Sequence, residues 1–279
     1  MRTIDLLALI QRDDKTRYED NLTSAGDIHL QVVHAPKEMN TILMDSHVDV
    51  LVIDHALERA YNIISGLRQT YPRLIIVLVD EEADFGMPGQ ADEISTEPFN
   101  NNDLVKKIRR LIADRQMETV RSDTLPAVRN VAKRLRSAPG LLGKQQAGVQ
   151  SCMELGYDYV AYYHKVSEQP LMISLKAQEG QAAVQAIAPK EATPDDLITW
   201  VVTNGQSRIA SPEDRPNHPL VARGRMGAVA CVPCMFNGVI YGAIAAMRDR
   251  PGSINQEHVL MLELIASQMA AAIGQEIRR

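Results

Sequence analysis

Between residues 4 and 114, short apolar runs alternate with polar stretches of helical period. No other feature limits the fold as tightly. Leu6-Leu7-Ala8-Leu9-Ile10 is a short apolar run followed by polar Gln11-Arg12-Asp13-Asp14. Such a run suits a strand covered on both faces rather than a half-exposed one. The same reasoning predicts strands at residues 6–10, 28–33, 48–54, 74–79 and 94–96. Helices are predicted between them at residues 17–24, 36–45 and 61–69. Pro36 stands early in the second, where a missing N–H is tolerated. A last helix is capped by Asn102 or Asp103, and its Leu104, Ile108, Leu111 and Ile112 follow the 3.6-residue period. Strands and helices repeating in this order imply a parallel sheet with helices on both faces.

The chain has 279 residues, which at roughly 100–200 residues per domain favours two domains. Charge divides it further. Residues 1–116 carry 13 Lys+Arg against 20 Asp+Glu; residues 117–139 carry 5 against 2; residues 140–279 carry 12 against 13. An acidic unit, a short basic connector and a nearly neutral unit are expected, with domains at 1–116 and 140–279 and a helical linker at 117–139. The net charge of −5 excludes a broadly basic nucleic-acid surface. Three cysteines exclude a disulfide-stapled scaffold and suit a reducing compartment, so a cytoplasmic location is expected. The run at residues 6–10 is too short for a signal peptide, and no stretch approaches the ~20 apolar residues of a membrane span.

In the connector, Asp123-Thr124-Leu125-Pro126 reads as a helix start, and Ser137-Ala138-Pro139-Gly140 as its stop. Its basic residues, Arg121, Arg129, Lys133, Arg134 and Arg136, suit a solvated face. Leu125, Val128, Val131, Ala132 and Leu135 make an apolar row that either packs on the same chain or meets a second subunit. Beyond it, helices are predicted at residues 141–155, 194–202 and 256–277. Strands are predicted at 157–165, 171–177, 207–210, 229–236 and 239–247. Asn237-Gly238 between the last two is a strong hairpin signal.

Val50–Asp54, and Glu97-Pro98-Phe99 ahead of a basic helix, resemble the receiver domain of two-component response regulators over about residues 4–114. The resemblance implies a flavodoxin-like doubly wound fold. It also implies a phosphoryl-accepting aspartate, a Mg²⁺-binding acid pair, a Thr or Ser and a Lys. Asp54 takes the acceptor position. The acid pair falls on Gln11 and Arg12, the hydroxyl on Val79 and the Lys on Glu97. Mg²⁺ needs hard oxygen ligands, and phosphoryl transfer needs metal and cation to neutralise developing charge. Comparable electrostatic groups contribute ~3–4 kcal/mol each. A degenerate receiver, or pseudo-receiver, is therefore expected, with Asp54 an ordinary strand-end carboxylate. An alternative keeps Asp54 phosphorylatable through an atypical metal site that uses Asp13 or Asp14. The glycine- and proline-bearing stretch at residues 84–89 is expected not to form a fourth helix.

Ala230-Cys231-Val232-Pro233-Cys234, Asn237 to Gly242, residues 254–272 and Leu197 to Gly205 resemble GAF domains over about residues 140–279. The resemblance implies an α+β sensor fold with a mainly antiparallel sheet. It also implies a small-molecule pocket between sheet and short helices, with Tyr159, Tyr163, Trp200, Cys231 and Met235 as candidates for lining it. Ordinary core packing is the competing role for each. A bilin site is not expected, since His218, between Asn217 and Pro219, has no cysteine beside it. Cys231 and Cys234 fall three apart in a predicted strand and so face opposite sides. That counts against a thiol-dependent methionine sulfoxide reductase, the enzymatic alternative. No metal or cofactor motif appears. The expectation is a non-enzymatic signalling protein without a kinase, cyclase or DNA-binding module after the last helix. Protein partners, a possible GAF ligand and a homodimer through the connector and last helix complete it.

Overall fold

A computed structural model describes residues 3–82, 89–122 and 126–278. Residues 84–88 and the expected capping residues Asp123 and Thr124 lie outside the described residues. The chain divides into two compact units, residues 1–69 with 74–120, and residues 70–73 with 121–279.

In the first unit, strands β1 (Ile4–Leu9), β2 (Ile28–Val33), β3 (Val50–Asp54), β4 (Ile75–Val79) and β5 (Glu93–Ser95) alternate with helices α1 (Lys15–Thr23), α2 (Pro36–Asp45), α3 (Ala60–Thr70) and α4 (Asp103–Ser122). All strand pairs are parallel, in the order β2-β1-β3-β4-β5. This is the doubly wound, flavodoxin-like order. Every residue of β4 is buried, as are Val50 to Ile53 of β3, which explains their unbroken apolar composition. Strand β3 begins two residues later than predicted. The Asp49 carboxylate accepts the Asp5 N–H at 3.0 Å, its own N–H donates to the Asp5 carbonyl at 2.8 Å, and the ladder register with β1 runs from Val50. One side of the sheet packs Tyr18 and Leu22 of α1 with Leu104, Val105 and Ile108 of α4 against Leu6, Ala8, Val50, Val52, Val77 and Val79.

In the second unit, β6 (Tyr159–Glu168), β7 (Leu171–Gly180), β8 (Arg208–Ala210), β9 (Ala228–Phe236) and β10 (Val239–Arg248) form an antiparallel sheet in the order β7-β6-β10-β9-β8. Asn237 and Gly238 both have positive φ, 50° and 76°, the twist that lets a two-residue loop join β9 to β10. Helices α5 (Pro126–Ser137), α6 (Gly140–Met153) and α10 (Gln256–Ile277) build a core with Val160, Tyr162, Ala230, Val232, Ile244 and Ala246 on one face of the sheet. A Cβ on Gly148 would meet the Met269 side chain, so the missing side chain leaves room for Met269 where α6 meets α10. The start of α10 is a capping box with histidine in the reaching position. Asn255 Oδ1 accepts the His258 N–H, and His258 Nδ1 accepts the Asn255 N–H, both at 3.1 Å.

The connector row has a definite partner. Val128, Val131 and Leu135 are buried, and α5 packs on α6 and α10 of its own chain. The buried Lys144 Nζ donates to the carbonyls of Leu135 and Ala138 at 3.2 and 3.1 Å and tethers the end of α5. Helix α10 uses Val259, Leu262, Ile265, Met269 and Ile273 in the same core. Val128, Val131 and Leu135 of the expected row are therefore covered within one chain, Ala132 is half-buried, and Leu125 lies outside the described residues.

Three further helices, α7 (Ala182–Ile187), α8 (Leu197–Asn204) and α9 (Pro219–Ala222), complete the unit. Helix α8 starts three residues after the expected Pro194. Helices α7 and α9 have no counterpart in the expected set, because four to six residues carry too little periodicity to read. Among the described residues, no helix is long and apolar enough to cross a membrane.

Candidate functional site

The first candidate lies where β1, β3 and β4 end. Asp54 is half-buried, and both of its carboxylate oxygens already accept hydrogen bonds. Oδ2 takes the Tyr18 hydroxyl at 2.9 Å, and Oδ1 takes the Ala56 N–H at 2.9 Å. Tyr18 reaches this point because α1 buries it edge-on against Phe99, with ring centroids 5.0 Å apart. Burial first, then the Asp54 charge, hold the Tyr18 hydroxyl far above the ordinary tyrosine range. It therefore stays a protonated donor.

Of the four degenerate positions, Gln11 and Val79 adjoin this pair. Gln11 is exposed, and its Nε2 donates to the Ala56 carbonyl at 2.8 Å. Arg12 is exposed in a short 3₁₀ turn with Asp13 and Asp14. Asp14 lies 3.4 Å from Arg17, whose guanidinium grips Glu81 at 2.9 and 3.1 Å and stacks 4.4 Å from the Phe99 ring centroid. Val79 is buried in the sheet opposite Asp54, and its carbonyl accepts the His55 N–H. Glu97 is exposed, and its carboxylate accepts from Asn100 at 3.1 Å.

Sequence reasoning missed Asp80, which follows β4 directly. It is 8% exposed, lies 3.4 Å from His55 Nδ1, and accepts the Glu82 N–H. Its signal was available as the first charged residue after an apolar run, the feature that singled out Asp54. The donor set does not fit Mg²⁺. An amide and a guanidinium stand at the acid-pair positions, and Asp54 has both oxygens engaged. Among the described residues, no three His, Cys, Asp or Glu side chains gather to hold a metal ion.

The second candidate lies on the sheet face away from α6 and α10. Alternation along β6 sends Val160 and Tyr162 to the helical core and Tyr159 and Tyr163 to the other face. The Tyr159 hydroxyl donates to Gln178 Oε1 at 2.8 Å. The Tyr163 hydroxyl donates to the Pro189 carbonyl at 3.1 Å and lies 3.1 Å from His218 Nε2. His218 Nδ1 accepts the Leu220 N–H at 3.2 Å, so the proton of the neutral ring sits on Nε2 and points at Tyr163. Burial pushes His218 down to about 3. Asn217 bridges the two: its Oδ1 accepts the His218 N–H and its Nδ2 donates to the Ser211 carbonyl. Asp196, at the start of α8, is buried and accepts the Thr193 N–H; desolvation raises its pKa.

Helix α8 packs on β9 and β10 and buries Leu197, Ile198, Trp200, Val201 and Val202. Cys231 is buried in register with Arg208 on β8. Cys234 belongs to the opposite core, with Cys152. Burial raises all three thiols well above the usual range. Tyr159, Tyr163 and Cys231 thus share one face, and α8 carries Trp200. Met235 does not join them: it is 38% exposed, near the hairpin end of β9. Strand alternation alone could not separate a rim position from an interior one.

The model of the GAF domain family matches residues 145–274. A search of curated protein sequences finds none similar to this chain. Among solved structures, the GAF domain of a phosphoenolpyruvate-protein phosphotransferase from Acinetobacter is 13% identical with a TM-score of 0.46, covering 55% of this chain and 94% of that one. A free methionine-R-sulfoxide reductase from Neisseria meningitidis is 12% identical with a TM-score of 0.48, covering 55% and 89%. The chromophore-binding domain of a bacteriophytochrome from R. palustris is 16% identical with a TM-score of 0.44, covering 56% and 63%. Likenesses at this level carry no functional argument, and the family match with the antiparallel sheet makes the assignment: residues 145–274 are a GAF domain, a signalling sensor fold.

Proposed function

We propose that this chain is a non-enzymatic signal-transduction protein of the cytoplasm. A receiver-like first unit that does not take up phosphate is joined to a GAF sensor that answers a small ligand or a protein partner. The observation that carries the reading is the state of Asp54. An acceptor carboxylate needs an exposed oxygen beside a bound cation. Here Tyr18 and Ala56 engage both oxygens, and Gln11 and Arg12 stand where an acid pair would hold the cation. The alternative through Asp13 or Asp14 is weakened by the Asp14–Arg17 pair. Thiol chemistry is disfavoured by the burial of Cys231 and Cys234 on opposite faces.

Incubation of the whole chain with acetyl phosphate and Mg²⁺, followed by intact mass measurement, tests it. The expected spectrum shows no added phosphoryl group. A stable adduct that disappears in Asp54→Asn overturns the proposal.

A further inference from the structure

The face of the second sheet that carries Cys231 also carries a buried cation. Arg208, on the edge strand β8, is 4% exposed. Its guanidinium lies 5.0 Å from the centroid of the Tyr71 ring and 5.2 Å from that of Trp200. Nη2 donates to the Arg215 carbonyl at 2.7 Å. Nε and Nη1 are both buried and have no hydrogen-bond partner among the described residues. Asp214 is close enough to act on Arg208 electrostatically. Its Oδ2 accepts the Ser211 N–H at 2.7 Å, however, and among the described residues it forms no ion pair with Arg208.

A guanidinium stays charged at any physiological pH. A charge taken out of water is stable only when paired and fully hydrogen-bonded. The neighbouring polar side chains meet that condition: Tyr163, His218 and Asn217 each have their partners. Arg208 instead keeps two donors idle beside the Tyr71 and Trp200 rings. The segment at residues 211–217 bonds largely to itself, through Ser211–Asp214 and Asn217–Ser211, and reaches Arg208 through one carbonyl.

We propose that Arg208 anchors a small ligand through an oxyanion, a carboxylate or a phosphate group, held between Trp200 and the 211–217 segment. The proposal rests on the reading of the second unit as a ligand sensor and adds the charge and chemical class of the ligand. A charge-assisted pair to an oxyanion satisfies the idle donors and neutralises the buried cation together.

Trp200 is the single tryptophan of the chain, so its emission reports on this spot alone. The full chain is titrated with sodium phosphate and, separately, with sodium acetate, at ionic strength held constant with sodium chloride. A saturable change in emission with either anion supports the site, and the stronger responder identifies the group. R208K raises the apparent Kd by about tenfold or more, because a point charge replaces a planar fork. R208Q abolishes the response while far-UV circular dichroism is retained. No saturable change in the wild type with either anion overturns the proposal, as does an undiminished response in R208Q. If R208Q does not fold, the wild-type titration and R208K decide. A negative outcome leaves the Asp54 reading standing, since the acetyl phosphate assay tests that separately.

Discussion

Replacing Tyr163 by Phe removes one oxygen and keeps the ring. That oxygen donates to the Pro189 carbonyl and receives the Nε2–H of His218, both at 3.1 Å. His218 is 0% exposed, so its N–H has no water to turn to. A buried donor left unpaired costs about 1–3 kcal/mol, and the half-buried Pro189 carbonyl adds the loss of an ordinary bond, about 1 kcal/mol. Tyr163→Phe is therefore expected to destabilise the second unit by about 2–4 kcal/mol. His218→Leu removes the partner as well as the acceptor for Leu220. Once His218 is gone, deleting the Tyr163 hydroxyl orphans less, so the double variant should fall short of the summed single effects by about 1–2 kcal/mol. Urea unfolding followed by Trp200 emission measures this, with midpoints compared at unchanged slope. A Tyr163→Phe effect below about 0.5 kcal/mol, or strict additivity in the double variant, would refute the proton placement and the closed network together.

Two further outcomes follow from burial. His218 has its folded pKa lowered from 6.5 to about 3, so the unfolded chain binds that proton first and stability falls as pH drops from 6.5 towards 3; at pH 5 the loss is about 2 kcal/mol. His164 and His258 are also lowered, chiefly by burial, and act in the same direction. The difference between wild type and His218→Asn, from urea midpoints at pH 7.5 and pH 5, isolates His218, and equal pH dependence in both chains would contradict the assignment. Cys152, Cys231 and Cys234 are buried with raised pKa values. Iodoacetamide at pH 8 should modify them about 100-fold more slowly in the native chain than in urea. Rapid native labelling of Cys231 or Cys234 would reopen thiol chemistry.

Much of the fold was legible before any coordinates. The strand at Ile28–Val33 and the helices at Pro36–Asp45 and Gln256–Ile277 agree with their predicted bounds. Each had an unambiguous period or a marked terminus. The parallel order of the first sheet followed from alternating strands and helices, since parallel neighbours need a crossover. The Asn237-Gly238 turn was visible because few residue pairs tolerate two positive φ angles in succession.

The sequence alone determined which residues are apolar, at what period, and which charged groups are missing from the positions that the resemblance to receivers picks out. Tertiary structure decided what each of them meets. The row Val128, Val131 and Leu135 suited two partners equally until α6 and α10 were seen to cover it. Asp54 and Tyr18 are 36 residues apart, and no local pattern announces their bond. Arg208 reads as an ordinary charged residue on a short edge strand until its burial against Trp200 leaves two donors idle. The physical reason is common to all three. Periodicity measures how far a position is removed from water along its own element, whereas the identity of the group that replaces the water is set by segments distant in the chain.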